Sequence, residues 1–225
     1  MSDDTENPAA PSPAQADKDL VPGWLALLVL VLLLAVTGLG GYVLRGVLVG
    51  DDRVDTPAES AVEEWTRKVA SDPQSVEAHL NLGYAYQQQS KWNLALQQYE
   101  AVLDLDPQNM AAMYNKGVVL LQEGDKKAAE KTLWDVLEIT PDHVLAAKTL
   151  GEMYLEQKHY KSALVAVEPV IEAQPEFADL QFIAGYASEQ LGQKDKAIAY
   201  YKAALTYSPD LVDARKGLER LGGTP

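Results

Sequence analysis

Side chains that commonly carry out chemistry are scarce in this chain of 225 residues, which has three histidines and no cysteine. Glu156 and His159 lie three residues apart and could share a metal ion, although such a pair beside a turn is usually just solvated. The other histidines, His79 and His143, bring no further ligands with them. There is no Gly-rich phosphate loop and no nucleophile with a base at a recognisable spacing. We therefore predict that the protein is not an enzyme and needs no metal or cofactor.

The charge of the chain indicates proteins, not nucleic acids, as partners. The formal net charge is −14, and the clustered Lys and Arg side chains that bind phosphate backbones are absent. The lack of cysteine excludes disulfide bonds and thiolate metal sites, but it leaves the cellular compartment open. We expect the partner to be a protein or peptide segment, with no nucleic acid and no small-molecule substrate.

Three residue types recur at one constant spacing of 34 positions. The prolines are Pro73, Pro107, Pro141, Pro175 and Pro209. The glycines are Gly83, Gly117, Gly151 and Gly185, and the alanines are Ala61, Ala95, Ala129, Ala163 and Ala197. A fixed period of this length is typical of a solenoid, in which each repeat buries its apolar face against its neighbours.

The pattern within each period resembles the tetratricopeptide repeat closely. In the first period, Leu82-Gly83 and Tyr86 are followed by Ala95, Tyr99, Val102 and Pro107. The resemblance covers residues 76–209 without an insertion and implies two antiparallel helices, A and B, in each repeat. The sequence departs from the usual residue types at Lys116, Leu133, Val167 and Ser188. All four are compatible with a helix, so the predicted fold class is an all-α solenoid of antiparallel helix pairs.

A long apolar segment precedes the repeats. Residues 20–44 contain no charged side chain, and residues 24–44 would rise about 32 Å as a helix, enough to cross a hydrocarbon core of about 30 Å. A cleaved signal peptide would need a basic start, but the first twenty residues are mainly acidic. We therefore predict a single transmembrane helix ahead of the solenoid. The flanking Lys and Arg residues hardly differ in number, so they leave its orientation open.

The sequence thus predicts six segments, listed in chain order. They are a disordered acidic tail (1–20), a transmembrane helix (21–49), a linker (50–57), an N-terminal half-repeat helix (58–73), four repeats (76–209) and a C-terminal capping helix (210–222).

The resemblance also implies a binding surface, because helix A of each tetratricopeptide repeat lines a concave groove. The groove residues carried over from the family are Leu80, Asn81, Tyr84, Tyr114, Asn115, Val118, Lys148, Glu152, Phe182 and Tyr186. A single lysine among apolar residues does not match the cationic clamp that some relatives use on a terminal carboxylate. Asn81 and Asn115 match an asparagine that bonds ligand backbone in some relatives but is also common in ordinary repeats. The aromatic side chains favour capture of an apolar peptide or an amphipathic helix.

These features predict a membrane-anchored scaffold or adaptor that binds a partner polypeptide in the concave groove. One anchor followed by a few repeats resembles assembly factors of cytochrome c maturation and periplasmic chaperones. On that resemblance we expect the repeats outside the cytoplasm. The alternative is a permanent structural subunit of a larger membrane complex.

Overall fold

The computed structural model describes residues 57–224, which belong to one compact unit, Asp55–Pro225. Within that range the chain forms ten α-helices joined by short turns, and no strand. The helices are α1 (Pro57–Ser71), α2 (Val76–Gln88), α3 (Trp92–Leu105), α4 (Met110–Glu123), α5 (Lys126–Ile139), α6 (Val144–Glu156), α7 (Tyr160–Ala173), α8 (Ala178–Gln190), α9 (Lys194–Tyr207) and α10 (Val212–Arg220). The predicted all-α solenoid is confirmed. The predicted tail, transmembrane helix and most of the linker lie outside the described residues. No described helix combines the length and hydropathy that a bilayer crossing requires.

The helices alternate between the two roles of the repeat. Helices α2, α4, α6 and α8 are the A helices, and α3, α5, α7 and α9 are the B helices that follow them. Each A helix packs on its own B helix, on the B helix before it and on the next A helix. In the described part of the chain, successive B helices do not contact each other. The A helices therefore lie on the inner, concave side of the curved stack and the B helices on the convex side.

Side-chain caps repeat with the same period at the start of the A helices. Ser75 Oγ accepts from the Ala78 N–H at 3.2 Å, and Asn109 Oδ1 accepts from the Ala112 N–H at 3.0 Å. At the next equivalent position, His143 Nδ1 accepts from the Ala146 N–H at 3.1 Å. His143 therefore caps a helix, a role usually filled by a side-chain oxygen.

Both ring nitrogens of the buried His79 have hydrogen-bond partners within the protein. Its Nε2 lies 3.0 Å from the Pro73 carbonyl oxygen and its Nδ1 lies 2.8 Å from Gln98 Oε1. Two equivalent side chains in later repeats, Gln181 and Arg215, donate to the carbonyl oxygens of Pro175 and Pro209. The proline turn is thus tied to the following A helix by a side-chain hydrogen bond in three places.

The closest contact in each repeat joins a glycine of helix A to a fully buried residue of helix B. A Cβ added at Gly83 would lie 2.7 Å from the Tyr99 ring, and one at Gly185 would lie 2.8 Å from the Tyr201 ring. Gly117 approaches Leu133 and Gly151 approaches Val167 in the same way. The departures at Leu133 and Val167 therefore preserve the contact with a smaller side chain.

The tyrosines in this contact need an acceptor for their buried hydroxyl groups. Tyr99 Oη donates to Gln87 Oε1 at 2.7 Å, and Tyr201 Oη donates to Glu189 Oε2 at 2.5 Å. In the two middle repeats, where the tyrosine is absent, the residues equivalent to Gln87 are Leu121 and Leu155. The polar residue therefore accompanies the hydroxyl that it satisfies.

The last repeat is closed by α10. A Cβ added at Gly217 of α10 would lie nearest to Tyr201 Cζ and Cε2, whereas one added at Gly185 would lie nearest to Cδ1 and Cε1, so the two glycines contact different parts of the ring. The Arg220 guanidinium donates to both Glu189 oxygens at 2.9 Å. Tyr201 is thereby held between two helices, with a hydroxyl partner that is itself paired.

We expect Gly185→Ala to destabilise the protein by roughly 1–3 kcal/mol, because the confined Tyr201 ring cannot move away from the added methyl group. A matched control on the same helix is Ser188→Ala. The buried Ser188 hydroxyl has no hydrogen-bond partner among the described residues, so its removal should be neutral or stabilising. Urea unfolding of both variants measures the difference. A Gly185→Ala protein as stable as wild type would contradict the packing argument.

The pairing of Glu189 should make stability depend on pH. Hydrogen bonds from Arg220 are the largest cause that lowers the pKa of Glu189 below its ordinary value of 4.5. A carboxylate with a lowered folded-state pKa contributes stability that is complete above the ordinary value and is lost as the pH falls through the folded-state value.

Arg220→Gln should therefore cost about 1 kcal/mol near neutral pH, a modest figure because the arginine is half exposed. The cost should shrink below about pH 4. Arg215→Gln is the control, because Arg215 donates to the Pro209 carbonyl oxygen, which does not titrate. Unfolding curves near neutral pH and below about pH 4 measure the free energy of unfolding of both variants. An equal loss of stability from Arg220→Gln at both pH values would contradict the prediction.

Candidate peptide-binding groove

All ten predicted groove residues lie on the A helices, and none of them is fully buried. Tyr84 is the most accessible aromatic residue of the set, with 53% of its surface exposed. Leu145, on the first turn of α6, is equally exposed. Large apolar side chains that remain this accessible on the concave side are candidates for partner contact.

Two of the aromatic residues are more deeply placed than sequence reasoning suggested. As predicted groove residues, Tyr114 and Phe182 would contact a partner directly, but both are only partly accessible. The Phe182 ring centroid lies 6.1 Å from that of Tyr201 and 6.3 Å from that of Tyr186. Tyr114 packs against the central core cluster, and its ring centroid lies 5.5 Å from that of His143. Removing either ring would therefore disturb packing as well as the groove surface.

Lys148 is held by carboxylates from two repeats. Its ammonium group forms an ion pair with Asp179 of α8 and lies 4.0 Å from Glu152 Oε1. The hydrogen bond to Asp179 is the main cause that raises the pKa of Lys148. The lysine is therefore an internal cross-link between two A helices, and this part of the groove carries more negative than positive charge.

The two asparagines differ in their availability to a ligand. Asn81 Nδ2 donates to the Glu77 carbonyl oxygen at 2.8 Å, within its own helix. The side chain of Asn115 has no hydrogen-bond partner in the described part of the chain, so its amide group is available to a ligand. Val118 and Leu80 are partly buried, and Leu80 packs against the core cluster around Tyr99.

The position of Lys116 produces a second concavity, on the convex side. Most other repeats have a buried leucine here, Leu82 or Leu150, whereas Lys116 extends to an ion pair with Glu100 at 2.9 Å. A cavity of about 520 Å³ lies beside it, with Leu103, Met113 and Leu120 on its apolar wall and the Lys131–Asp135 pair at its edge. The sequence marked Lys116 as unusual but gave no sign of the cavity.

Metal-binding chemistry has no support from the described residues. His159 is exposed and precedes the first residue of α7, and its ring centroid lies 6.4 Å from that of Tyr154. No group of three or more His, Cys, Asp or Glu side chains in the described range converges on a common point.

Solved structures of other repeat proteins have a similar fold. The crystal structure of MamA protein has 26% sequence identity and a TM-score of 0.60, covering 69% of this chain and 85% of that one. MamA from Desulfovibrio magneticus RS-1 has 23% identity and a TM-score of 0.58, with 65% and 83% covered. YrrB, described as a TPR protein with an unusual peptide-binding site, has 22% identity and a TM-score of 0.59, with 72% and 84% covered.

The sequence comparison gives the family directly. No protein with a curated description matches this chain. The sequence profile of the tetratricopeptide repeat matches residues 80–144 and 148–211, which together make up more than half of the chain. The period of 34 residues, the paired helices and the glycine contacts agree with that match. This chain is a member of the tetratricopeptide repeat family.

Proposed function

We propose that this protein is a scaffold that binds a segment of a partner polypeptide along its concave face. The observation that carries the proposal is the exposure of the large apolar side chains of Tyr84 and Leu145 on A helices, the helices that line the concave face. The similar fold of YrrB, which is described as having an unusual peptide-binding site, supports the use of this architecture for peptides. Catalysis is not part of the proposal, since the described groove residues offer no nucleophile paired with a base.

The charge of the groove indicates what the segment contains. Glu152 and Asp179 flank Lys148 on α6 and α8, and Glu77 adds a further carboxylate on α2. A segment with apolar residues for Tyr84 and Leu145 and with Lys or Arg between them would complement both features.

The groove can be tested with two similar double variants, one on the concave face and one on the convex face. Leu145→Ala with Glu152→Lys alters two exposed positions seven residues apart on α6. Val165→Ala with Glu172→Lys is the corresponding pair of changes on α7, an aliphatic residue to alanine and a glutamate to lysine at the same spacing, and Val165 is 60% exposed. Both double variants should keep the wild-type melting temperature.

We expect the α6 variant to weaken partner binding at least about tenfold and the α7 variant to leave it unchanged. A photo-crosslinking amino acid at position 145, used in intact cells, should first identify the partner, and one at position 165 should not capture it. If capture occurs from position 165 and binding survives the α6 changes, the concave face is not the binding surface.

The convex cavity favours a second candidate function. A permanent subunit of a larger complex would use a fixed interface, and the apolar wall beside Lys116 offers one on the B-helix side. The same crosslinking experiment distinguishes the two functions, because a crosslinker at Thr132, which lines this cavity, would then give the dominant product.

We further propose that the scaffold is anchored in a membrane with its repeats outside the cytoplasm. The support is the charge-free run of residues 20–44 and the shared layout with membrane-anchored assembly factors and chaperones of the cytochrome c maturation type. Such factors hold an unfolded partner beside the bilayer, which suits an extended acidic groove.

Alkaline phosphatase fused after Pro225 tests both parts of this proposal. Since the enzyme is active only outside the cytoplasm, we expect activity that sediments with the membrane fraction and resists extraction by carbonate. An inactive fusion in the membrane fraction would reverse the proposed orientation. A fusion that is released in soluble form would refute the anchor.

A further inference from the structure

The N-terminal end of the described solenoid exposes a surface that is buried in every complete repeat. Helix α1 occupies the register of a B helix, with Ala61 and Trp65 at the positions of Ala95 and Tyr99. In all four complete repeats, the residues at these two positions are fully buried. Ala61 and Trp65 are only partly buried. The packing face of α1 is therefore open where an A helix covers its equivalents.

Two cavities mark this face, and they meet at Trp65. One, of about 320 Å³, lies between Ala61 of α1 and the α2 residues Tyr84 and Ala85. The other, of about 270 Å³, is lined by Lys68 and Asp72 from one side and by Glu77 from the other. Together they form a trough between α1 and α2, with the indole ring of Trp65 at its middle. We call this the N-terminal trough.

The molecule itself shows what kind of helix fits such a surface. In each complete repeat, the A helix that covers the residues equivalent to Ala61 and Trp65 presents a glycine to them, and a Cβ added at any of these glycines would lie within 3.0 Å of the side chain below. The preceding residue is a buried leucine in two of the four, Leu82 and Leu150. A helix in the N-terminal trough therefore needs a glycine over Trp65 and an apolar neighbour.

The charges at the ends of the trough give the direction of the helix. An A helix runs parallel to α2, so its N-terminus would lie beside Asp72 and Glu77. These carboxylates complement the positive end of a helix dipole. The end beside Tyr84 and Ala85 is largely apolar and suits the second half of an amphipathic helix.

The segment directly before α1 does not fit the trough. The chain has a Leu39-Gly40 pair farther upstream, but that pair belongs to the charge-free run of residues 20–44 that we propose as the membrane anchor. In the same register, residues 42–55 would place Val49 over Trp65 and bury Asp51 and Asp52, where the repeats have residues such as Ala85 and Tyr86. Burial of two unpaired carboxylates is strongly unfavourable. Among the described helices of a second copy, α10 is the one in the A-helix register that has no B helix after it, but Glu219 stands at its glycine position.

We propose that the N-terminal trough binds one amphipathic helix of a partner protein, which presents a Leu-Gly pair to Trp65 and completes the half-repeat in trans. The site shares Tyr84 and Glu77 with the proposed groove, but Leu145 and Glu152 lie two repeats away on α6, and binding in the trough does not depend on them.

The probe is a labelled synthetic peptide with the sequence of residues 75–91, an A helix of this chain that carries Leu82-Gly83. Its control carries Gly83→Leu, which favours helix formation but adds a side chain where Trp65 leaves no room. Fluorescence anisotropy with the full-length protein in detergent micelles should give a Kd of roughly 1–100 µM for the first peptide and at least tenfold weaker binding for the second.

The protein variants are matched on one helix. Ala61→Leu should fill the trough and weaken peptide binding at least about tenfold, whereas Ala70→Leu, on the exposed opposite side of α1, should not. The groove variant Leu145→Ala with Glu152→Lys should bind the peptide as wild type does, which separates this proposal from the groove proposal.

Equal binding of the two peptides, wild-type binding by the Ala61→Leu variant, or no binding up to about 1 mM would overturn the proposal. So would dimerisation of the chain that Ala61→Leu abolishes, because the trough would then hold a second copy.

Discussion

The contact between a helix A glycine and a helix B side chain is the constraint on which the remainder of the solenoid depends. An added Cβ would lie within 3.0 Å of Tyr99, Leu133, Val167 or Tyr201, so no other residue allows the two helices to come this close. The short distance between helices A and B leaves room for the next A helix to pack on both. Because this arrangement is repeated every 34 residues, the A helices contact one another and the B helices spread apart. The concave face therefore depends on the glycine that recurs in helix A of each repeat.

The same contact determines which groove positions remain available to a ligand. A tyrosine on helix B brings a hydroxyl into the core, and the first and last repeats satisfy it with Gln87 and Glu189. Those side chains are thereby directed toward helix B and not toward the groove. In the middle repeats, Leu121 and Leu155 pack against the core. The accessible surface that remains, around Tyr84 and Leu145, is smaller than the set of A-helix positions that sequence reasoning assigned to the groove.

The sequence predicted the features that depend on residue spacing. The period placed every helix pair, and Leu133 and Val167 were compatible with it because they still fill the space above a glycine. Features that depend on contacts between repeats were not predictable in this way. Asp179 lies 31 residues from Lys148 in the sequence, and the two side chains meet only because α6 packs against α8. The partial burial of Phe182 likewise depends on Tyr201, a residue of the following helix. His143 was a candidate for chemistry by residue type, and its capping role appeared only with the backbone around it.

The two ends of the described solenoid follow one packing rule with opposite outcomes. At the C-terminal end, Gly217 of α10 packs against the Tyr201 ring, and Arg220 of α10 pairs with Glu189, which accepts the hydrogen bond from the Tyr201 hydroxyl. At the N-terminal end, Lys68 lies 3.7 Å from the centre of the Trp65 ring and pairs with Glu64, which shields the ring without filling the trough. A helix bound there would lie beside α2, as α2 lies beside α4. Since the groove is the row of A helices, an occupant of the N-terminal trough would lengthen that row by one helix, and its exposed side chains would become part of the surface presented to a second ligand.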